Sequence, residues 1–280
     1  MTKRVMSGFL CAFFLLLVMF LSTFYPFALN LAVSIVCAIS SYELLLIKNE
    51  LKISLLSVSS ILFSVARPLF GGGTKLKAFL YVYMIICFVI SMERFIKNKK
   101  APPSKIKSVW NVCFVFFMNI IVSTSISSIV EIRNFGKELG LFLSSLTLVI
   151  SWMCDVGSYI FGKKFGNNKL CPYISPKKTV EGAIGGIFTS VVSAMLFCFI
   201  CESIFKSIRI NYSMIFIMSL LGAPISILGD LCFSLVKRLL IVKDFSDIIP
   251  GHGGVLDRFD SVIFLSPFVL IFIHIFDLSR

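Results

Sequence analysis

Charge is what this chain is most short of. Asp, Glu, Lys and Arg make up 15% of its 280 residues, against 58% hydrophobic, and the mean hydropathy is +0.96. Soluble domains carry about a quarter charged residues, so composition argues against a soluble fold and for a polytopic α-helical membrane protein. Cysteine chemistry is also poorly supported. Most of the nine Cys lie inside apolar runs, and Cys198-Phe-Ile-Cys201 has no second pair and no nearby His. They read as small packing residues rather than a zinc or redox site.

Other absences narrow the reading further. There is no GxxxxGK[ST] loop and no GxGxxG between a strand and a helix, so any nucleotide must be held by another arrangement. No soluble nucleic-acid-binding module is visible; the net charge of +13 is accounted for by loop bias and by anionic lipid head groups. No small-residue cleavage site follows Met1-Thr-Lys-Arg4, so the first apolar run reads as an uncleaved helix. No internal repeat of the transporter kind is evident. Asp is missing from the first 154 residues altogether: all seven (155, 230, 244, 247, 257, 260, 277) come later.

What is present is a series of apolar runs, each near the 20 residues that a spanning helix needs. They predict nine spans, at 6–23, 27–47, 53–66, 77–93, 109–130, 139–161, 180–205, 212–236 and 259–278. With the N-terminus inside, nineteen of the 27 Lys and Arg fall on one side, which the positive-inside rule makes cytoplasmic. Both long polar segments, 162–179 and 243–260, lie on that side. Residues 1–135 are expected to be scaffold helices, and 136–280 the catalytic region of one structural unit.

Two carboxylates, Asp155 and Asp230, interrupt apolar runs one to two turns from their expected cytoplasmic ends. A charge inside a span costs at least about 2.5 kcal/mol, so it is usually paired or functional. Asp257-Arg-Phe-Asp260 puts two more on one helix face, about 5–6 Å apart. Carboxylates that close favour a cation between them, and hard oxygen ligands select magnesium over zinc. The preceding Pro250-Gly-His-Gly-Gly254 cannot be regular helix, and the helix after it offers N–H groups suited to phosphate. Lys237, Arg238, Lys243 and Arg258 supply positive charge nearby, as do Lys163, Lys164, Lys169, Lys177 and Lys178 in the other segment. Cations alternating with magnesium-binding acids suit phosphoryl or nucleotidyl transfer.

At these residues the sequence resembles a known family. Ser234-x2-Lys237-Arg238-x4-Lys243-Asp244-x-Ser246-x2-Ile249-Pro250-x-His252-Gly253-Gly254-Val255-x-Asp257-Arg258-Phe259-Asp260 is similar to the signature of phosphatidate cytidylyltransferases (CDP-diacylglycerol synthases) at each of its 27 positions. Asp155-x2-Ser158-Tyr159-x2-Gly162-x3-Gly166, Ser175-Pro176-Lys177-Lys178-Thr179-x-Glu181-Gly182, Gly229-Asp230 and Glu43 also match, although the family often has Ala where Ser158 stands. The resemblance is strong over roughly 150–262; the first half matches only in hydropathy.

The resemblance implies that CTP and phosphatidic acid give CDP-diacylglycerol and pyrophosphate with Mg2+, a second or monovalent cation being left open. It implies metal binding by Asp230, Asp257, Asp260 and Asp155, and catalytic roles for Lys237, Arg238, Lys243, Asp244, His252 and Arg258. Ser175, Lys177, Lys178, Thr179, Lys169, Gly253 and Gly254 would bind substrate. The implied setting is a bacterial inner membrane, multi-pass, with membrane lipids around the chain, a homodimer as the assembly and no nucleic acid. His274, in an apolar run, reads as locally hydrogen-bonded packing. The competing readings are a CTP-dependent lipid kinase resembling dolichol kinase, a CDP-alcohol phosphatidyltransferase and an ion-coupled transporter. Acid spacing disfavours the second, and polar loops gathered on one face disfavour the third.

Overall fold

The computed structural model describes residues 14, 17–46, 55–70, 74–97, 105–205, 209–249, 253–276 and 278. His252 and the tip of its loop lie outside the described residues, as do most of the first predicted span and Asp277. The remaining spans each have a helix in place: α1 (Phe27–Leu46), α2 (Leu55–Phe70), α3 (Thr74–Lys97), α4 (Lys105–Arg133), α5 (Lys137–Phe165), α6 (Val180–Ile204), α7 (Tyr212–Leu239) and α8 (Leu256–Ile275). Six are long and apolar enough to cross a membrane, while the apolar parts of α2 and α3, Ser57–Phe70 and Leu76–Ile90, are shorter. The chain is a helical, polytopic membrane protein.

The chain divides into two compact units. One holds Met1–Ser127 and Asp244–Asp257; the other holds Ser128–Lys243 and Arg258–Arg280. In the first, Phe63, Leu80, Met84 and Phe116 form a core, with Phe88 stacked on Phe116 at 4.2 Å between centroids. Hydroxyl contacts reinforce the helix pairs: Ser64 meets Ser41 at 2.5 Å and Ser123 at 2.7 Å. Small polar residues suit helix packing where lipid removes the hydrophobic drive between helices.

In the second unit, α5 and α6 approach closely through small residues. A Cβ on Gly186 would overlap Ser158 Oγ and come within 2.7 Å of the Cys154 carbonyl. The core here gathers Leu143, Leu146, Ile150, Ile215, Met218, Leu265 and Val269. Cys198 and Cys201 are free and buried, consistent with packing. His274 Nδ1 lies 2.7 Å from the Leu270 carbonyl, one helical turn back.

Two features depart from the hydropathy reading. Helix α5 continues to Phe165 and α7 to Leu239, past the Lys pair and the Lys-Arg pair where the apolar runs end. Asp155 and Asp230 are therefore ten and nine residues from their helix ends, about two and a half to three turns rather than the one to two expected from the apolar runs. The segment expected to be loop also contains an antiparallel hairpin, β1 (Lys169–Cys171) and β2 (Ser175–Thr179), pairing Lys169 with Thr179 and Cys171 with Ser175.

Candidate active site

The hairpin fixes where Lys178 can go. Thr179 caps α6: its extended backbone starts the helix, and its hydroxyl accepts the Gly182 N–H at 3.1 Å, one of the donors a helix start leaves open. Glu181, in the first turn, accepts N–H bonds from Asn167 (3.1 Å) and Asn168 (3.1 Å), and from the Asn168 side chain (2.8 Å). The carboxylate pins the hairpin's entry to the helix it precedes, with the favourable sign for a helix N-terminus. Lys178, next to the cap, forms an ion pair with Asp230 of α7, both side chains about a quarter exposed.

Around that pair the second unit assembles its other carboxylates. Asp260 of α8 lies 3.8 Å from Lys237 Nζ, with side chains 10% and 12% exposed, and it feels the charges of Asp230 and Asp155. Gly229 lets α7 and α8 come together here, since a Cβ would stand 2.9 Å from the Asp260 carbonyl. Ser261 serves two acids at once. Its N–H donates to Asp260 Oδ1 at 2.8 Å, and its hydroxyl donates to Asp155 Oδ2 at 3.1 Å. Ser151 donates in turn to the Ser261 hydroxyl at 2.8 Å and meets Ser226 at 3.3 Å. All three serines are fully buried, so this hydroxyl chain orients the acids from the dry side of the cluster. Ser234 adds a 3.4 Å hydrogen bond to Asp230.

The basic residues divide. Arg238, exposed, reaches back to the hairpin, its Nε donating to the Ile174 carbonyl at 3.3 Å. Arg258 is exposed and acts electrostatically on Asp155. Lys169, Lys177 and Lys243 are exposed, and Ser175 is half-buried. Thr179 is buried and its hydroxyl is committed to the helix cap.

The segment Asp244–Asp257 packs within the first unit. Asp257 Oδ2 accepts N–H bonds from Phe245 (2.9 Å) and Gly254 (3.0 Å). Gly253 takes φ = 80°, the left-handed region open mainly to glycine, and a Cβ there would also crowd Asp257 Oδ2 at 3.1 Å and the exposed Asp244 at 3.4 Å. Gly254 abuts Glu43, whose carboxylate holds the N–H groups of Val255 and Leu256 at 2.8 Å each. These are the helix-start donors that the sequence suggested for a phosphate, and the protein fills them with its own anion. Asp257 and Asp260, expected as a facing pair, thus have separate sets of partners.

Among the described residues no three His, Cys, Asp or Glu side chains are grouped closely enough to share a metal ion. That still suits magnesium, which typically binds through one or two carboxylates plus substrate phosphates rather than an all-protein cage. The donors at hand, Asp230 and Asp260 backed by Asp155, are hard oxygens of the required kind. Lys178 and Lys237 neutralise them in this arrangement.

Partly buried carboxylates and lysines are thus held together by helices long and apolar enough to cross a membrane. A model of the Cytidylyltransferase family matches residues 2–276; the chain belongs to that family. It is 38% identical over 165 residues to the phosphatidate cytidylyltransferase of Bacillus subtilis (strain 168), covering 59% of each chain. It is 44% identical over 129 residues to that of Haemophilus influenzae, covering 46% of this chain and 44% of the relative. With the Staphylococcus aureus (strain COL) protein the identity is 42% over 131 residues, 47% of this chain and 48% of the relative. The chain thus spans about half the length of the curated relatives it matches.

Proposed function

We propose that the chain transfers the cytidylyl group of CTP to phosphatidic acid, giving CDP-diacylglycerol and pyrophosphate. The observation that carries this reading is the union of Asp155, Asp230 and Asp260 with Lys178 and Lys237 in one half-buried cluster, in a member of the Cytidylyltransferase family. A phosphate oxygen of the lipid attacks the α-phosphorus of CTP. The new P–O bond forms as the bond to the oxygen bridging toward the β-phosphorus breaks, and that electron pair leaves with pyrophosphate. A phosphate monoester is already anionic near neutral pH, so a strong general base is not required.

The chain's residues then have separate tasks. Lys178 and Lys237 exchange carboxylate partners for phosphate oxygens when CTP binds. Arg238, Lys243 and Arg258 offset the charge of the leaving group. Asp230 and Asp260 would hold magnesium, with Asp155 in support, and when bound the ion supplies neutralisation and alignment of the triphosphate. Ser261 keeps Asp155 and Asp260 oriented. Asp244 and His252 keep the catalytic roles drawn from the signature, while Asp257 orders its own segment through Phe245 and Gly254.

The same proposal places the N-terminus and the cluster on the cytoplasmic side of a bacterial inner membrane, supported by the nineteen basic residues on one side. A homodimer rests on the resemblance alone. The test uses purified chain, phosphatidate micelles, magnesium and CTP labelled at either the α- or the γ-phosphorus. The α-label is expected in lipid and the γ-label in pyrophosphate. Transfer of the γ-label to lipid with release of CDP would make the chain a lipid kinase and overturn the reading.

A further inference from the structure

Glu43 is fully buried three residues before the end of α1, in a helix with no other acidic residue. A carboxylate withdrawn from water is tolerated when its lone pairs are satisfied. Here they are satisfied by residues more than 200 positions further along the chain. Oε1 accepts the Ser246 hydroxyl at 2.6 Å and the Val255 N–H at 2.8 Å, and Oε2 accepts the Leu256 N–H at 2.8 Å. Short, charge-assisted contacts of this kind are stronger than neutral ones, and the start of α8 is where an anion is favoured. Gly254 completes the fit, since any Cβ there would come 2.7 Å from Oε1.

The two sets of contacts lie on opposite legs of one loop. Ser246 belongs to the outgoing leg; Val255 and Leu256 belong to the returning one. Between them Ile249 N–H donates to the Gly253 carbonyl at 2.9 Å, and Asp257 Oδ2 ties Phe245 to Gly254. Glu43 and Asp257 therefore staple the same two legs from two sides. We propose that Glu43 is a positioning residue: its carboxylate is the built-in anion that closes the start of α8 and holds the segment carrying Asp244 and Asp257 in its working form. That this segment serves the reaction rests on the function proposed above; that Glu43 holds it does not.

Glu43→Gln is the direct test. One amide oxygen can still accept from Ser246 and Val255, but the NH2 group would face the Leu256 N–H, donor against donor. Hydrogen–deuterium exchange of the detergent-purified chain should show peptides spanning 244–257 exchanging on the order of tenfold faster or more, with peptides from Cys113–Arg133 unchanged. CTP turnover should fall by about 10- to 100-fold, the range for residues that orient a functional group, with KM for CTP within about threefold. Glu43→Asp should recover part of both losses. Unchanged exchange at 244–257, or wild-type turnover in a folded Glu43→Gln protein, would overturn the proposal. If Glu43→Gln does not fold, Ser246→Ala takes its place: exchange in the same peptides should rise about threefold or more, and no change would again overturn it. The exchange arm is independent of catalysis, so a wild-type chain without cytidylyl transfer would sink the proposed function while leaving this test intact.

Discussion

Gly229→Ala is a small change aimed at the junction of α7 and α8. The added Cβ would meet the Asp260 carbonyl at 2.9 Å, Phe264 Cβ at 2.9 Å and Phe264 Cγ at 3.1 Å. Two of these neighbours are a backbone atom and a Cβ, which have no rotamer to retreat into. Reaching ordinary carbon contact at about 3.5 Å requires the helices to part by roughly half an ångström beside Asp230 and Asp260. Overpacking of this kind costs about 1–3 kcal/mol, partly offset by about 1 kcal/mol of helix propensity gained on replacing Gly. Stability should therefore change little. Catalysis should suffer more, because misplacement by about 1 Å lowers rates on the order of a hundredfold; a loss of about 10- to 100-fold in kcat is expected. Gly222→Ala is the matched control on the same helix, since its nearest neighbour at 2.8 Å is Leu265 Cδ1, the tip of a flexible side chain. The assay is transfer of α-label from CTP to phosphatidate by purified, monodisperse protein. Wild-type turnover in Gly229→Ala, or an equal loss in Gly222→Ala, would refute the idea that this close approach sets the cluster's geometry.

Other outcomes follow from the same geometry. Ser261→Ala removes the hydroxyl donor to Asp155 while keeping the backbone donor to Asp260; a charge-assisted bond of about 1.5–3 kcal/mol predicts a kcat loss of roughly 10- to 100-fold, measured in the transfer assay. Lys178→Ala leaves Asp230 without its counter-ion, and KM for CTP should rise about tenfold or more, while unchanged kinetics would remove Lys178 from phosphate binding. Chelation with EDTA should abolish turnover and added magnesium restore it, with zinc a poor substitute at an all-oxygen site; activity that survives exhaustive chelation would remove the metal from the proposal.

Some of this was legible in the sequence, for physical reasons that differ from part to part. Charges inside apolar runs contrast with their surroundings, so Asp155 and Asp230 are visible in the sequence, and the structure gathers them with Asp260. Helix ends were less visible. Hydropathy falls at Lys163-Lys164 and Lys237-Arg238, yet basic residues suit the last turn of a helix, so α5 and α7 run on and the two acids lie further from their helix ends. The hairpin escaped notice because strands of three and five residues, one of them holding Pro176 and two Lys, give no alternating pattern.

The serine chain was missed because a Ser in an apolar helix usually bonds its own carbonyl one turn back. A signal was nevertheless present. Ser151 precedes Asp155 by four residues and Ser226 precedes Asp230 by four, a spacing that puts hydroxyl and carboxylate on one helix face. Glu43 illustrates the opposite limit. Nothing local to α1 says that its partners lie on a loop two hundred residues away, and local reading left the α8 amides open for phosphate.

The central claim is that the Asp230–Asp260 cluster is where a nucleotide is joined to a lipid. Asp230→Asn and Asp260→Asn, each near-isosteric and each purified in folded form, test it most directly through α-label transfer from CTP to phosphatidate. Removing a carboxylate from the proposed magnesium site should lower turnover on the order of a thousandfold in both. Turnover within a few-fold of wild type in either folded variant would contradict the account.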